Sequence, residues 1–216
     1  MDFAAARHNM VEGQIRPNGV TDTAVLAAMA EVPREDYVPK ALRSIAYADD
    51  DLSVGNGRGV MEAMVLARLL QAAEIDPDDV VLEIATGTGY ATAVLAKIAN
   101  TVVSVDSDAD FRAMAISAVS SHGHDNAVIV AGDLEAGYPV QAPYNVIFIN
   151  GAVEVVPQAL LSQLTDGGRL VAVVTGGGQG VATVYTRNGD SFGHRKLFDA
   201  NILPLPGFRK PAGFVF

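Results

Sequence analysis

Cysteine is absent from the 216 residues, which excludes disulfide bridges, thiolate metal centres and cysteine nucleophiles. Positive charge is scarce: 15 lysines and arginines stand against 25 acids, a formal net charge of −10. With no basic stripe to meet a phosphate backbone, nucleic acid is not expected as a partner. Long apolar runs are missing too. No stretch approaches the roughly 20 residues that cross a bilayer. The segment Met1-Asp2-Phe3-Ala4-Ala5-Ala6-Arg7-His8 lacks the basic start and long apolar core of a signal peptide. The expectation is a soluble, cytoplasmic protein with no membrane partner.

Several chemistries lack their residues. There is no nucleophile elbow for a Ser-His-Asp hydrolase, and no lysine follows Gly176-Gly177-Gly178 in P-loop register, so that segment reads as a loop. His122 and His124 flank Gly123 without an evident third ligand and read as a surface loop. Asp49-Asp50-Asp51 has the wrong spacing for a calcium loop and reads as solvated acids. No metal is expected. Repeats and low-complexity runs are also absent.

What is present is a patterned, half-apolar chain, 50% hydrophobic. A chain of this length buries about 70% of its unfolded surface, and one domain over 1–216 is expected. Residues 3–15 and 22–31 read as helices, the second capped by Asp22 and ended by Pro33. Residues 34–60 are turn-rich, and 61–75 form a strong helix, apolar at Met64, Val65, Leu66, Leu69 and Leu70. Strands at 80–84, 101–105, 127–130, 144–149 and 168–174 then alternate with helices at 90–99, 109–120 and 157–164. Such alternation predicts an α/β fold, a doubly wound parallel sheet with helices on both faces. The end differs: 181–186 and 192–198 flank Arg187-Asn188-Gly189-Asp190, a hairpin with a primed turn, and the last eighteen residues form an irregular tail. The layout divides into N-terminal helices and a substrate loop (1–60), a Rossmann-like core (61–175), and a C-terminal hairpin and tail (176–216).

The densest signal lies at 80–89, Val-Val-Leu-Glu-Ile-Ala-Thr-Gly-Thr-Gly, where an apolar strand carrying Glu83 runs into a glycine turn. The next strand ends in Asp106. Ligands of open parallel sheets bind at the carboxyl ends of strands, so turn and acid share one edge. The turn, Ala85-Thr86-Gly87-Thr88-Gly89, lets a ligand approach the backbone, and Asp106, with Ser107 beside it, accepts ribose hydroxyls. The alternative is a glycine turn that only joins strand to helix. Thr92 stands where a dinucleotide fingerprint wants a small residue, and Glu83 would repel a pyrophosphate. A cation with an amino acid part suits that acid better, and S-adenosylmethionine combines a sulfonium, an ammonium and an adenosine. Asp133, followed by Leu134, either bonds the adenine amine or sits in an ordinary Gly-Asp turn. Asn150 either orients substrate or starts a turn with Gly151.

The whole layout resembles the protein-L-isoaspartate O-methyltransferase family. The resemblance is carried by Met10-Val11-Glu12-Gly13-Gln14-Ile15-Arg16-Pro17, Val32-Pro33-Arg34-Glu35-Asp36-Tyr37-Val38-Pro39, Ala46-Tyr47, the 81–90 cofactor loop, Gly132-Asp133 and Asp166-Gly167-Gly168-Arg169-Leu170. Ala85 stands where glycine is usual in that family. The resemblance implies a class I S-adenosyl-L-methionine-dependent methyltransferase that esterifies isoaspartyl carboxylates in damaged proteins or peptides. It implies that Glu83, Ala85, Thr86, Gly87, Thr88, Gly89, Asp106, Ser107, Asp133, Leu134 and Asn150 hold the donor. One stretch departs: Gly55-Asn56-Gly57-Arg58-Gly59-Val60-Met61-Glu62-Ala63 aligns with a family loop reading roughly G-x-G-x-x-I-S-x-P. Met61 stands at the serine and Ala63 at the proline. Arg58 is either a solvated loop residue or a bidentate grip for a substrate carboxylate. The alternatives are a family member that binds the nucleoside without repair activity, as a sensor, or one that methylates a different carboxylate. The oligomeric state is left open.

Overall fold

In the computed structural model, which describes residues 1–176 and 178–209, the N-terminal helices form where their caps demand. Asp2 caps α1 (Phe3–Met10), which continues through one wider turn, Val11–Ile15. The Asp22 carboxylate accepts from the Ala24 and Val25 amides and opens α2 (Thr23–Glu31), satisfying donors that a helix start leaves free.

The turn-rich segment 34–60 contains more order than its composition suggested. Two tight helical turns precede a hairpin of β1 (Leu52–Gly55) and β2 (Arg58–Val60). Its central pair Asn56-Gly57 has φ of 51° and 68°, the type I′ pattern with positive φ at both positions. The next helix, α3 (Ala63–Ala73), is shorter than the 61–75 expectation. Met61 and Glu62 stay outside it because distant partners hold their backbone: Arg34 takes the Met61 carbonyl and Asp51 takes the Glu62 amide.

The central sheet follows the expected alternation. Strands β3 (Val80–Ile84), β4 (Thr101–Asp106), β5 (Ala127–Ala131), β6 (Tyr144–Val153) and β7 (Leu164–Val174) run parallel, and β8 (Val181–Asn188) and β9 (Ser191–Asp199) are antiparallel. Their order is β5-β4-β3-β6-β7-β8-β9. Helices α4 (Tyr90–Ile98) and α5 (Ala109–Ser121) fill the β3–β4 and β4–β5 crossovers. Alternate strand residues feed two apolar layers. Val81, Val102, Val146 and Val171 pack with α1 to α4, while Leu82, Val103, Ile147 and Leu170 pack with the short α6 (Gln158–Leu161). Each such buried side chain contributes about 1.5–3 kcal/mol.

The expected helix over 157–164 is reduced to that single turn of α6. The Gln163 carbonyl leaves the helix to accept from Tyr144, and Leu164 opens β7. The late hairpin turns on Gly189-Asp190, with positive φ at Gly189 (59°) and not at Asp190, the II′ pattern. Residues 200–209 form an irregular strap whose Leu203, Leu205 and Phe208 backbones bond to Ala152 and Glu154 at the end of β6. The rest of the expected tail, 210–216, and Gly177 of the glycine loop lie outside the described residues. Among the described residues no helix is long and apolar enough to cross a membrane.

Candidate functional site

The carboxyl ends of β3, β4 and β6 meet at one edge, as the crossover topology requires. At the tip of β3 the chain turns with positive φ at Ala85 (74°), Gly87 (56°) and Gly89 (92°). Gly89 has a second reason to be glycine: a Cβ there would lie 3.1 Å from the Ala115 backbone of α5. Between these positions Thr86 faces inward. Its hydroxyl bonds the Ser104 hydroxyl and its amide donates to the Val105 carbonyl, so its side chain fastens the turn to β4. The Thr88 hydroxyl is buried within the same turn and has no hydrogen-bond partner. A buried polar atom without a partner is rare in a folded chain, and a water or a ligand group can supply the missing one; the Tyr37 hydroxyl and Arg34 Nη1 are further cases outside the turn.

Asp106 ends β4 fully buried. Its Oδ2 accepts from the Gly87 amide at 2.9 Å and its Oδ1 from the Asp108 amide at 3.0 Å. The remaining positions are taken by Arg58, whose Nη2 and Nη1 donate at 2.8 and 3.2 Å in a bidentate pair. Arg58 is therefore not the solvated residue that its loop suggested; it is 4% exposed and lies over the Phe111 ring. Asn56 at the hairpin tip adds a bond to Asp108, so β1–β2 is clipped to the start of α5 twice.

Glu83 sits on β3 opposite Ser104 of β4. Its Oε2 accepts from Thr92 at 2.5 Å and Ser104 at 2.6 Å, and its Oε1 from Asn150 at 3.0 Å. Burial pushes its carboxyl up to about 7, partly opposed by those three bonds and reinforced by Asp106. Thr92 is thus a partner for the acid. Asn150, half-buried within β6 and followed by further strand rather than a turn at Gly151, carries this network towards the small opening beside Thr86 and Thr88.

The Gly132-Asp133-Leu134 turn is tied to the same edge through the Gly132 amide on the Asp106 carbonyl. Asp133 accepts from the Glu135 amide, Leu134 is buried in one apolar cluster with Val105, and Ser107 is exposed. Met61 is 4% exposed and lines both small openings beside the turn, each of about 10 Å³. That is room for one water. A wider cleft of about 330 Å³ lies past the hairpin tip, between Asn56-Gly57, Ala152, Glu154 and the strap.

Three residues that organise the site were not legible as site residues. Arg34 is fully buried, bonding the Ala46 and Met61 carbonyls and lying over Tyr90. Asp51, expected in solvent with its neighbours, instead bonds the Glu62 and Leu203 amides, joining the substrate loop to the strap. Ser104 left a partial signal, a polar residue inside an apolar strand, but its register opposite Glu83 comes only from the sheet. His122 Nε2 lies 3.3 Å from Asp36 Oδ2, and its ring stacks on Tyr37.

A mostly parallel sheet in this order, closed by an antiparallel pair, with a glycine turn and an acid at adjacent strand tips, defines a Rossmann-like α/β protein of the class I methyltransferase type. The chain belongs to the protein-L-isoaspartate(D-aspartate) O-methyltransferase family, whose model matches residues 5–208. It is similar to the protein-L-isoaspartate O-methyltransferase of Koribacter versatilis, 37% identical over 95% of this chain and 92% of that one. That of Methanoculleus marisnigri is 43% identical over 78% and 76%. Among solved structures, a protein-L-isoaspartate O-methyltransferase superposes with a TM-score of 0.82 at 25% identity, over 93% of this chain and 66% of that chain. A β-aspartate methyltransferase from Plasmodium falciparum, in complex with S-adenosyl-L-homocysteine, shares the fold, with a TM-score of 0.79 at 16% identity over 95% and 98%.

Proposed function

We propose that this protein is an S-adenosyl-L-methionine-dependent methyltransferase that esterifies the free α-carboxylate of L-isoaspartyl residues in damaged proteins. The observation that carries this is the meeting of the 85–89 turn, Asp106 and the 132–134 turn at one sheet edge, in a chain matching the family from residue 5 to 208. The residues present fit the group: a carboxylate for the ribose hydroxyls, a turn of small residues for the backbone contacts, and the Thr88 hydroxyl without a partner. When bound, S-adenosyl-L-methionine supplies an electrophilic methyl group on a sulfonium.

In this reading Asp106 and Ser107 hold the ribose, and Asp133 and Leu134 frame the adenine. The turn from Ala85 through Thr86, Gly87 and Thr88 to Gly89 faces the amino acid part with its backbone, while the Thr86 side chain keeps that turn in place. Glu83 acts through Asn150, which it orients. The acceptor enters by the cleft between the hairpin tip and the strap, and its carboxylate reaches the adjoining opening lined by Arg58 and Met61. An acceptor carboxylate is already ionised at neutral pH, so the site needs no general base, and its work is alignment. Met61 supplies no donor to the acceptor, which affects rate and not reaction class. The relatives named for this activity favour the transferase over the sensor. The parts 1–60, 61–175 and 176–216 act as one methyltransferase domain, a reading supported by the Asp51 bonds that bridge the substrate loop and the strap, and the cytoplasm is its compartment.

The test is transfer of a radiolabelled methyl group to a synthetic isoaspartyl peptide, against the same peptide with ordinary aspartate. Base-labile label on the isoaspartyl peptide alone supports the reading. Label on neither, with the nucleoside bound in calorimetry, refutes it.

A further inference from the structure

The role assigned below to Arg58 rests on the nucleoside reading above. Each oxygen of Asp106 already holds two hydrogen bonds, one from a backbone amide and one from Arg58. Two acceptor sites per carboxylate oxygen are then full. Ribose presents a neighbouring pair of O–H donors, and guanidinium presents a parallel pair of N–H donors. The two forks match the same two positions, while the Gly87 and Asp108 amides stay in place whichever wins.

Arg58 starts β2, three residues before Met61, and lines one of the small openings with Met61, Asn150 and Gly151. Once displaced from Asp106, its guanidinium remains charged. A buried charge without a partner is costly. Asp51, the acid lining that opening, takes one amide on each oxygen and is the internal rival for the displaced fork. The ligand chemistry that meets the displaced fork is a second carboxylate, the group that the acceptor brings.

We propose that Arg58 is a carboxylate-exchange clamp, which pairs with Asp106 until a ribose diol displaces it and then binds the carboxylate of the methyl acceptor. Competition by Arg58 weakens nucleoside binding, and nucleoside binding strengthens acceptor binding by freeing the clamp. The coupling is reciprocal between the two ligands.

Calorimetry with S-adenosyl-L-homocysteine tests this on the wild type, Arg58→Gln and Arg58→Lys, each with and without an isoaspartyl peptide. Glutamine keeps much of the length and loses the charged fork, so R58Q binds S-adenosyl-L-homocysteine about fivefold to tenfold more tightly. Saturating S-adenosyl-L-homocysteine tightens the peptide about tenfold in the wild type and leaves it unchanged in R58Q. R58K, which keeps the buried charge and guards against a folding defect, lies between. Equal or weaker S-adenosyl-L-homocysteine binding by R58Q, or coupling that persists in it, overturns the clamp alone. Absence of S-adenosyl-L-homocysteine binding in all three proteins overturns the functional reading and the clamp with it.

Discussion

At the scale of single residues, the acids at the strand tips carry opposite loads. Asp106 is matched by a guanidinium, whereas Glu83 is surrounded by neutral donors and is more easily protonated in the fold than in the unfolded chain. With its carboxyl at about 7 against an ordinary 4.5, the native state binds more protons between those values. Stability therefore falls as pH rises through that window, by roughly 3 kcal/mol at most for such a shift. Glu83→Gln is expected to remove this fall, leaving the variant more stable than the wild type at pH 8 and closest to it near pH 4. Denaturant midpoints across that range provide the measurement, and parallel curves for the two proteins would refute it. Met61 is the second residue with a distinct expectation. Met61→Ser returns a hydroxyl donor to the acceptor side and raises methyl transfer about tenfold to a hundredfold. The same change removes a buried side chain and costs about 2–5 kcal/mol of stability. Kinetics and melting on one sample separate the two effects. The sequence showed Glu83, the 85–89 turn and Asp106 as one constellation, because strand ends and a glycine turn are local patterns. It could not show that Arg58 fills Asp106, since that contact spans 48 positions.

At the scale of elements, the β1–β2 hairpin matters most, because it carries both Arg58 and the approach to Met61. Asn56-Gly57 was readable as a turn by the same rule that located the late hairpin, yet its flanking strands are only four and three residues long. Strands that short have too little alternation to announce themselves. Gly57 holds φ at 68°, a conformation in which a β-branched side chain is strained. Gly57→Val is expected to cost about 1–3 kcal/mol, with the loss concentrated in the hairpin. Hydrogen exchange at the 52–60 amides should accelerate more than exchange in β3 or β4. Uniform acceleration would mean that the hairpin does not open separately. The short α6 illustrates the opposite case: its apolar residues suit a helix, and the pairing of Gln163 with Tyr144 ends it early.

At the scale of the whole molecule, the site is built from both ends of the chain. Asp51, which also holds the Glu62 amide, bonds Leu203 across 152 positions, and the strap lies so close that a Cβ on Gly59 would come 2.5 Å from Leu203 Cδ1. Asp51→Ala leaves two amides without their acceptor, a loss of about 1–3 kcal/mol. The Leu203 amide should then exchange faster while the β3–β4 pairing keeps its protection. An unchanged Leu203 amide would show that the strap is held by its β6 bonds alone.

Periodicity and turn chemistry specified the alternating strands and helices, the parallel sheet and the edge where its ligand site belongs, because each of these follows from neighbours within a few positions. Folding in three dimensions chose the partners of the buried charges: Arg58 for Asp106, Thr92, Ser104 and Asn150 for Glu83, and two distant amides for Asp51. A buried charge takes whichever complementary group the topology delivers, and no local pattern contains that information.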